Sequence, residues 1–502
     1  MNNYKLLLLL LLPSLFMLSC AKEDLEPEKV IADINLQNFS FLKDDNPSLK
    51  RDVYFNIEEN KIYGSLPPET DMTKLIASFT LIGGSAFIGE TPLESGETLF
   101  DYNEIKTLEI KGDNGSDAYF ELEAIRFTGL PIFYITTDGG ASISSTEEYV
   151  SAHISFDGAK EFEDFEDEIL IRGRGNSTWY FHDKKPYQVK FDEKTSILGM
   201  PEDRKWIFLA EHSDKTLLRN ALALKMGSLS NLEYTPQYHY AEVFLNDDYV
   251  GTYNITQKVE ESKNRLDIGD DGYLLEIDQL YRLDDDDVYF YTSPFLICVK
   301  EPKIDSISQE YDFINAYVNK MEEVFNSDYF NHPDSGYKKY IDVDSFIDWY
   351  IINEITKNQD AKDYSSIFMH LIPGEKLKMG PIWDFDLAFG NVYYSDCKNP
   401  TGFWVKDHAW YSKLFHDQEF VNRMKSRFQY YRSQEEYLLH FVDETAYQLR
   451  IAQQENDDKW HVYGEWLWPN NVVLSSHQEE VDYLKSWLSE RMDWLNEAYG
   501  EM

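Results

Sequence analysis

The chain has 502 residues, more than one hydrophobic core ordinarily serves, so two or three domains are expected. Its 90 Asp and Glu against 47 Lys and Arg give a formal net charge of -43, which argues against a nucleic-acid partner, because phosphate binding needs a basic footprint. Hydrophobic residues at 43% and aromatics at 15%, with 35 Tyr and 11 Trp, supply packed cores and exclude a disordered chain.

Residues 1–19 join Lys5 to a Leu-rich run ending in Met17-Leu18-Ser19, the pattern of a secretory signal. The run is too short, and too soon followed by charge, for a membrane span. Cys20 directly after small Ser19 resembles the bacterial lipobox and reads as the lipidation site. The Lys22-Glu23-Asp24 that follows resembles the export signal of Bacteroidetes surface lipoproteins. The expected location is therefore the outer membrane, facing outward, held through a lipid anchor at Cys20. Residues 20–32 are a polar tether. The other two cysteines cannot make a disulfide framework. Cys298 lies in the apolar run FLICVK and reads as a small buried hydrophobe, Cys397 falls in a loop, and a bond between them is left open.

Residues 33–128 carry β-rich stretches (VYFNI, LIASFTLI, TLEI, YFELEAIRF) separated by turn signals such as Gly83-Gly84 and Asn114-Gly115. Several short strands in so few residues predict a small immunoglobulin-like sandwich with no chemistry of its own. A second unit is expected over 130–500. Its first part, about 130–280, reads as strands around one helix in SDKTLLRNALALKMGSL, with Ser213 or Asp214 as cap. From about 305 to 500 the pattern turns helical, with a short β section at SSIFMHL and KLKMGPIWDFD. The fold class expected is α+β. The acid run Asp284 to Asp287 reads as a solvated loop.

Three segments point to chemistry. In IRGRGNSTW the glycines let backbone N–H groups approach an anion, and Arg174, Gly175, Asn176 and Ser177 are candidates to hold phosphate. In KKPYQVKF the lysines concentrate positive charge on an acidic chain; Lys190 shares a strand face with Gln188 and Pro186, and Lys185 or Lys190 would reach a nucleotide phosphate. In NQDAKDYSS followed by GPIWDFDLAFGN, Asp360 sits after a predicted helix, and Asp384 and Asp386 sit after a strand. Transfer of a phosphoryl group to a hydroxyl needs one carboxylate to take the proton and another to hold a divalent cation.

In this order and spacing, RGRGNST, KKPYQVKF, KWIFLAEHSDKTLLRN, VFLNDDYVGTYNITQKVE, GYLLEID, NQDAKDYSS, GPIWDFDLAFGN and WLSERMDWLN resemble the spore-coat protein H (CotH) kinase family. The resemblance covers roughly 130–500. It implies a two-lobed, protein-kinase-like domain that phosphorylates Ser or Thr of exported or surface proteins, using ATP with Mg²⁺ or Mn²⁺. Asp360 then matches the catalytic-loop Asp, Asp384 the metal-binding Asp of the DFG-like motif, and Asp386 a neighbour able to share the metal. Glu276 falls where a hinge between lobes would lie. The position five after Asp360, where kinases carry a metal-binding Asn, holds Ser365, a weaker ligand for a hard cation.

Two other readings compete. A catalytically idle surface lipoprotein could bind glycan or protein through its β module and its Trp-rich tail (Trp460, Trp466, Trp468), but would have no need of Asp360, Asp384 and the lysines. A metal-dependent hydrolase built on WDFD would need a second ligand cluster, and the 11 His show no HxH or HExxH spacing.

Overall fold

The computed structural model describes residues 33–502, Lys160 excepted. The signal segment expected over 1–19, the lipidation at Cys20 and the tether to residue 32 lie outside the described residues. The fold is mixed α+β, and the chain divides into two compact units between Arg126 and Phe127.

The first unit is all β. Its strands are β1 (Asn35–Phe41), β2 (Val53–Glu58), β3 (Lys61–Leu66), β4 (Leu75–Ile76), β5 (Ser78–Ile82), β6 (Gly84–Ile88), β7 (Thr91–Leu93), β8 (Leu99–Phe100), β9 (Lys106–Gly112) and β10 (Asp117–Arg126). Eight of them form one sheet in the order β5-β1-β2-β3-β10-β9-β6-β7, and β4 pairs with β8. The expected turn at Asn114-Gly115 closes the β9–β10 hairpin, with Gly115 at φ 80°. Phe39, Phe41, Phe55, Ile62 and Leu108 fill its core.

The second unit opens with a closed barrel. Strands β11 (Ile132–Thr137), β12 (Val150–Asp157), β13 (Phe165–Gly173), β14 (Tyr187–Thr195), β15 (Asp203–Leu209), β16 (Tyr238–Leu245) and β17 (Asp248–Gln257) run in the order β11-β12-β13-β14-β15-β17-β16, and a parallel β11–β16 pairing closes the ring. Alternation along each strand sends Phe133, Ile154, Ile171, Val189, Phe208 and Ile255 inward to one core. The β16–β17 hairpin turns through Asn246 (φ 52°) and Asp247 (φ 67°), the two residue types that tolerate the left-handed geometry such a tight turn needs. Two helices interrupt the barrel: α1 (Ser177–Phe181) and α2 (Arg219–Ser228). The latter starts later than its sequence pattern suggests. Asp214 is spent on a tight turn before it, accepting from the Thr216 N–H (3.1 Å), the Arg219 N–H (2.7 Å) and the Arg219 guanidinium (2.5 Å).

The rest of the unit is a second sheet wrapped by helices. Strands β18 (Tyr273–Ile277), β19 (Val288–Tyr291), β20 (Leu296–Glu301), β21 (Ile367–Leu371) and β22 (Lys378–Met379) form the antiparallel order β19-β20-β18-β21-β22. Around them lie α3 (Gln309–Phe325), α4 (Val343–Thr356), α5 (Tyr411–Leu414), α6 (Gln418–Ser433), α7 (Glu435–Gln448), α8 (Ala452–Trp460) and α9 (His477–Gly500). Almost every residue of α4 is buried, which marks it as the central helix of the core. Its Glu354 meets Arg491 of α9 at 2.6 Å with both side chains fully buried. GYLLEID, expected at a hinge, is instead the middle strand of this sheet. Cys298 and Cys397 are both buried free thiols, which answers the question left open by their sequence. Among the described residues, no helix is long and apolar enough to cross a membrane.

Candidate active site

A cleft of about 320 Å³ opens between the barrel and the sheet-and-helix half of the second unit. The barrel contributes Arg172, Arg174, Gly175, Asn176, Ser177, Gln188 and Glu211 to its lining; the other half contributes Glu276, Arg282, Asp284, Asp360, Ser366, Trp383, Asp384 and Asp386. A larger hollow of about 690 Å³ lies between α4 and α6, but its charges are already matched: Arg423 pairs with Asp344, and Arg427 with Asp348 at 2.6 Å. The concentration of uncompensated acid and base is in the smaller cleft.

The basic wall is the end of β13. Arg172 stands across from Gln188, and the alternation of an extended chain puts Arg174 on the same side. The Arg172 guanidinium donates to the Thr146 carbonyl. Arg174 lies over the Trp383 ring at 5.5 Å. The chain then reverses at Gly175 (φ 79°), where a Cβ would stand 2.6 Å from the Thr178 hydroxyl, so only glycine fits without strain.

The acidic wall is assembled from two loops. Helix α4 ends on Lys357 in the left-handed region (φ 45°), its buried ammonium tied to the carbonyls of Asp396 (3.1 Å), Asn399 (3.0 Å) and Thr401 (2.6 Å). That anchored exit delivers Asn358 and Asp360. The second loop follows β22, and Asp384 also sits in the left-handed region (φ 66°), which a short polar residue tolerates. Buried Asn358 joins the two loops: its amide donates to the Asp384 carbonyl (3.1 Å), and its side-chain oxygen accepts the Asp360 N–H (3.3 Å). Asn220 of α2 fixes the same loop from the barrel side, accepting the Phe385 N–H (2.8 Å) while donating to both oxygens of Glu211 (3.2 and 3.1 Å).

Crowding of acids in a buried place raises their pKa values. Burial first, then the Asp384 carboxylate, push Asp360 up to about 7. Burial, then Asp214, push Glu211 up to about 8. Burial, then Asp278, push Glu276 up to about 8, and Asp386 rises strongly for want of solvent and because Asp384 is beside it. Three cations answer this charge. Arg282 pairs with Asp278 at 2.9 Å, Lys300 lies 3.8 Å from Glu276, and the Asp384 carboxylate is the charge that most favours the buried Arg174 guanidinium.

The cleft thus gathers Asp360, Asp384, Asp386, Glu276, Arg174, Gly175, Asn176 and Ser177. Three expected members need correcting. The Lys185 ammonium is used locally, donating to the carbonyls of Trp179 (2.7 Å) and His182 (2.5 Å) at the end of α1. Lys190 does share a face with Gln188 but stands ~7 Å further along the strand, against the Tyr149 ring at 6.0 Å, while Gln188 and Pro186 line the cleft. Ser365 is buried and donates to Asp360 at 3.3 Å, so its oxygen faces the acid and not the cavity; the next residue, Ser366, lines the cleft with its hydroxyl 3.5 Å from Asp384. Glu276 is in the cleft as a strand residue, not as a hinge.

Sequence reasoning passed over Arg172, Arg282, Glu211, Asn220 and Ser366. Arg172 carried a usable signal, two positions before Arg174 in an alternating run. Glu211 and Asn220 carried none, because their roles depend on packing of α2 against a loop more than 160 residues away.

The residues present suit the groups that phosphoryl transfer requires. Carboxylates are the ligands of a hard divalent cation, and Asp360, Glu211 and Asp386 are raised first by burial and then by neighbouring carboxylates, whose repulsion a cation would offset. Paired arginines suit phosphate. Among the described residues, the acids whose oxygens already lie within 4.8 Å of one another are Asp284, Asp286 and Asp287, at the rim, and Asp287 there is held by Lys300 at 3.2 Å and Lys303 at 3.7 Å.

Arginines and loop-borne aspartates thus face one another across one cleft on an α+β frame. Residues 171–495 match the family model described as CotH kinase protein, and the chain belongs to that family. No curated protein matches the chain. Among solved structures, a Bacteroides thetaiotaomicron protein provisionally described as a glycoside hydrolase aligns at 13% identity over 58% of this chain and 89% of its own, with a TM-score of 0.15, too low to describe a shared fold.

Proposed function

We propose that the cleft transfers a phosphoryl group from ATP to a hydroxyl acceptor. The observation that carries this reading is that Asp360 and Asp384, from two separate loops, face Arg172 and Arg174 from the barrel across one cleft. In this reading Arg172, Arg174 and the Gly175–Ser177 turn hold the nucleotide phosphates. Asp384, with Asp386, holds Mg²⁺ or Mn²⁺, which when bound supplies positive charge to the phosphate oxygens. Asp360 orients the acceptor hydroxyl and takes its proton. Ser365 donates to one Asp360 oxygen at 3.3 Å and leaves the other for the acceptor.

The barrel and the helical half would act as the small and large lobes of a kinase-like domain, and residues 33–128 as an immunoglobulin-like spacer. The sequence at Cys20 supports a lipid anchor at the outer surface, which would place the acceptor among exported or surface molecules. Transfer assays with radiolabelled ATP test the roles. Asp360→Ala is expected to retain nucleotide affinity and lose turnover; Asp384→Ala is expected to lose divalent-dependent binding as well. Full turnover in Asp360→Ala would remove Asp360 from its role.

A further inference from the structure

On the acidic side of the cleft stands a cation, Arg282. It ends the short 3₁₀ turn Leu280–Arg282, in the strap of residues 278–287 that joins β18 to β19, and it lines the cleft. The strap is fastened to the loop that carries Asp360. The Gln279 amide donates to the Tyr364 carbonyl at 2.8 Å, the Tyr281 and Tyr364 phenols bond to each other, and the Arg282 guanidinium lies over the Tyr364 ring at 5.8 Å. Tyr364 in turn donates its N–H to the Asp360 carbonyl at 3.1 Å. Arg282 and Asp360 are thus positioned by one joined pair of segments.

The guanidinium is held in place with its donors free. Its Nε lies 2.9 Å from the Asp278 carboxylate, yet that buried N–H is not aligned to donate to it, and among the described residues neither Nη group donates a hydrogen bond. Buried Arg491, by contrast, commits Nε and both Nη groups to Glu354, Pro400 and Gly402. A role confined to neutralising Asp278 would call for an aligned bond to it. An arginine keeps its charge and carries five N–H donors in one plane, so one left without acceptors at a cavity wall is set to receive an oxyanion. Burial opposes the Arg282 charge, but the carboxylates of Asp278, Asp384, Asp360 and Glu276 outweigh it and raise the pKa. Arg282 is in turn the cation that offsets the acids around Asp360, whereas Arg174 on the barrel wall is favoured by Asp384 and Asp386. A phosphoryl group in flight lies between the acid that takes the acceptor's proton and the acid that holds the divalent cation, and Arg282 answers both.

We infer that Arg282 is a catalytic residue of the transfer, its two Nη groups binding the oxygens of the phosphoryl group as it moves from ATP to the acceptor. The inference rests on the phosphotransferase reading of the cleft. The acceptor oxygen attacks the γ-phosphorus, the bond from that phosphorus to the β,γ-bridging oxygen breaks, and its electron pair leaves on the nucleoside diphosphate. A phosphorus–oxygen bond to the acceptor forms and the hydroxyl proton passes to Asp360. Arg282 stays protonated throughout and donates to the non-bridging oxygens, whose spacing a planar fork matches. A contact that strengthens only as the group moves lowers the barrier and leaves the binding of ATP unchanged.

Release of labelled phosphate from γ-labelled ATP by the full-length chain with Mn²⁺, water serving as the acceptor, tests this role. Arg282→Gln is expected to lower kcat about 100- to 1,000-fold while the KM for ATP stays within about twofold. Arg282→Lys keeps the charge and loses the fork, and should still fall about tenfold or more; it carries the same test should the glutamine variant not fold. Arg282→Ala should regain turnover when guanidinium ion is added and not when methylammonium is, because only the former restores the fork. Near-normal turnover in Arg282→Lys with no rescue by guanidinium is what a purely structural ion pair gives, and would overturn the inference. So would a kcat unchanged in Arg282→Gln, or a raised KM at constant kcat. In each of those cases wild-type turnover leaves the phosphotransferase reading standing. A wild-type chain that cleaves no ATP would overturn that reading, and this role with it.

Discussion

Replacing Glu211 by Gln should make the second unit less sensitive to pH. Burial, then Asp214, hold the Glu211 carboxyl up at about 8 against an ordinary 4.5. Between those values the folded chain keeps a proton that the unfolded chain has released. For a carboxyl raised on folding, the stability contribution is complete below the unfolded value and is lost as pH rises through the folded one. Each pH unit inside the window costs about 1.4 kcal/mol, so the wild-type chain should lose up to about 4 kcal/mol relative to Glu211→Gln between pH 5 and pH 8. The amide keeps the size of the side chain and an oxygen for the Asn220 amide, which limits other effects. Buried His182 and His212, pulled down by burial to about 4 and about 3, act in the opposite sense below pH 6.5, but they do so in both proteins and cancel in the difference. All 11 Trp fall after residue 178, so tryptophan fluorescence during urea unfolding reports the second unit alone. The expected result is a stability difference that widens steadily from pH 5 to pH 8. A difference that stays flat would refute the claim that Glu211 is held protonated in the cleft.

Two further substitutions test how the site is held. Asn358→Ala leaves the Asp384 carbonyl and the Asp360 N–H without their shared partner, and should cost about 1–3 kcal/mol in thermal unfolding while lowering turnover more than nucleotide affinity. Unchanged turnover would mean that the two loops hold their geometry without it. Arg491→Met strips the buried Glu354 of its ion pair at 2.6 Å and should cost about 3–5 kcal/mol, with part recovered by adding Glu354→Gln; a single variant that melts with the wild type would contradict this.

What the sequence disclosed followed from local rules. β-rich runs located strands in both units, Asn114-Gly115 marked the β9–β10 hairpin of the first, and helical periodicity in VDSFIDWYIINEIT placed α4. Asp360, Asp384 and the Gly175 turn were visible because each lies in a short segment whose residue types suit one chemistry. The lysines misled because local charge does not say where a long side chain ends: Lys185 turns back on α1, and Lys190 stops at Tyr149. Ser365 was read by its spacing from Asp360, and its neighbour Ser366 reaches the cavity because that residue adopts φ 58° and redirects the chain. Glu211, Asn220 and Arg282 join the site through contacts between distant segments, which no local pattern encodes.

The most direct test of the central claim is isothermal calorimetry of the full-length chain with ATP, in the presence and absence of Mg²⁺ or Mn²⁺. Binding that needs the divalent cation, disappears in Asp384→Ala and weakens by about tenfold or more in Arg174→Met is the predicted result. No binding under any condition, or binding of equal strength without the cation and in Asp384→Ala, would contradict the assignment of this cleft to phosphoryl transfer.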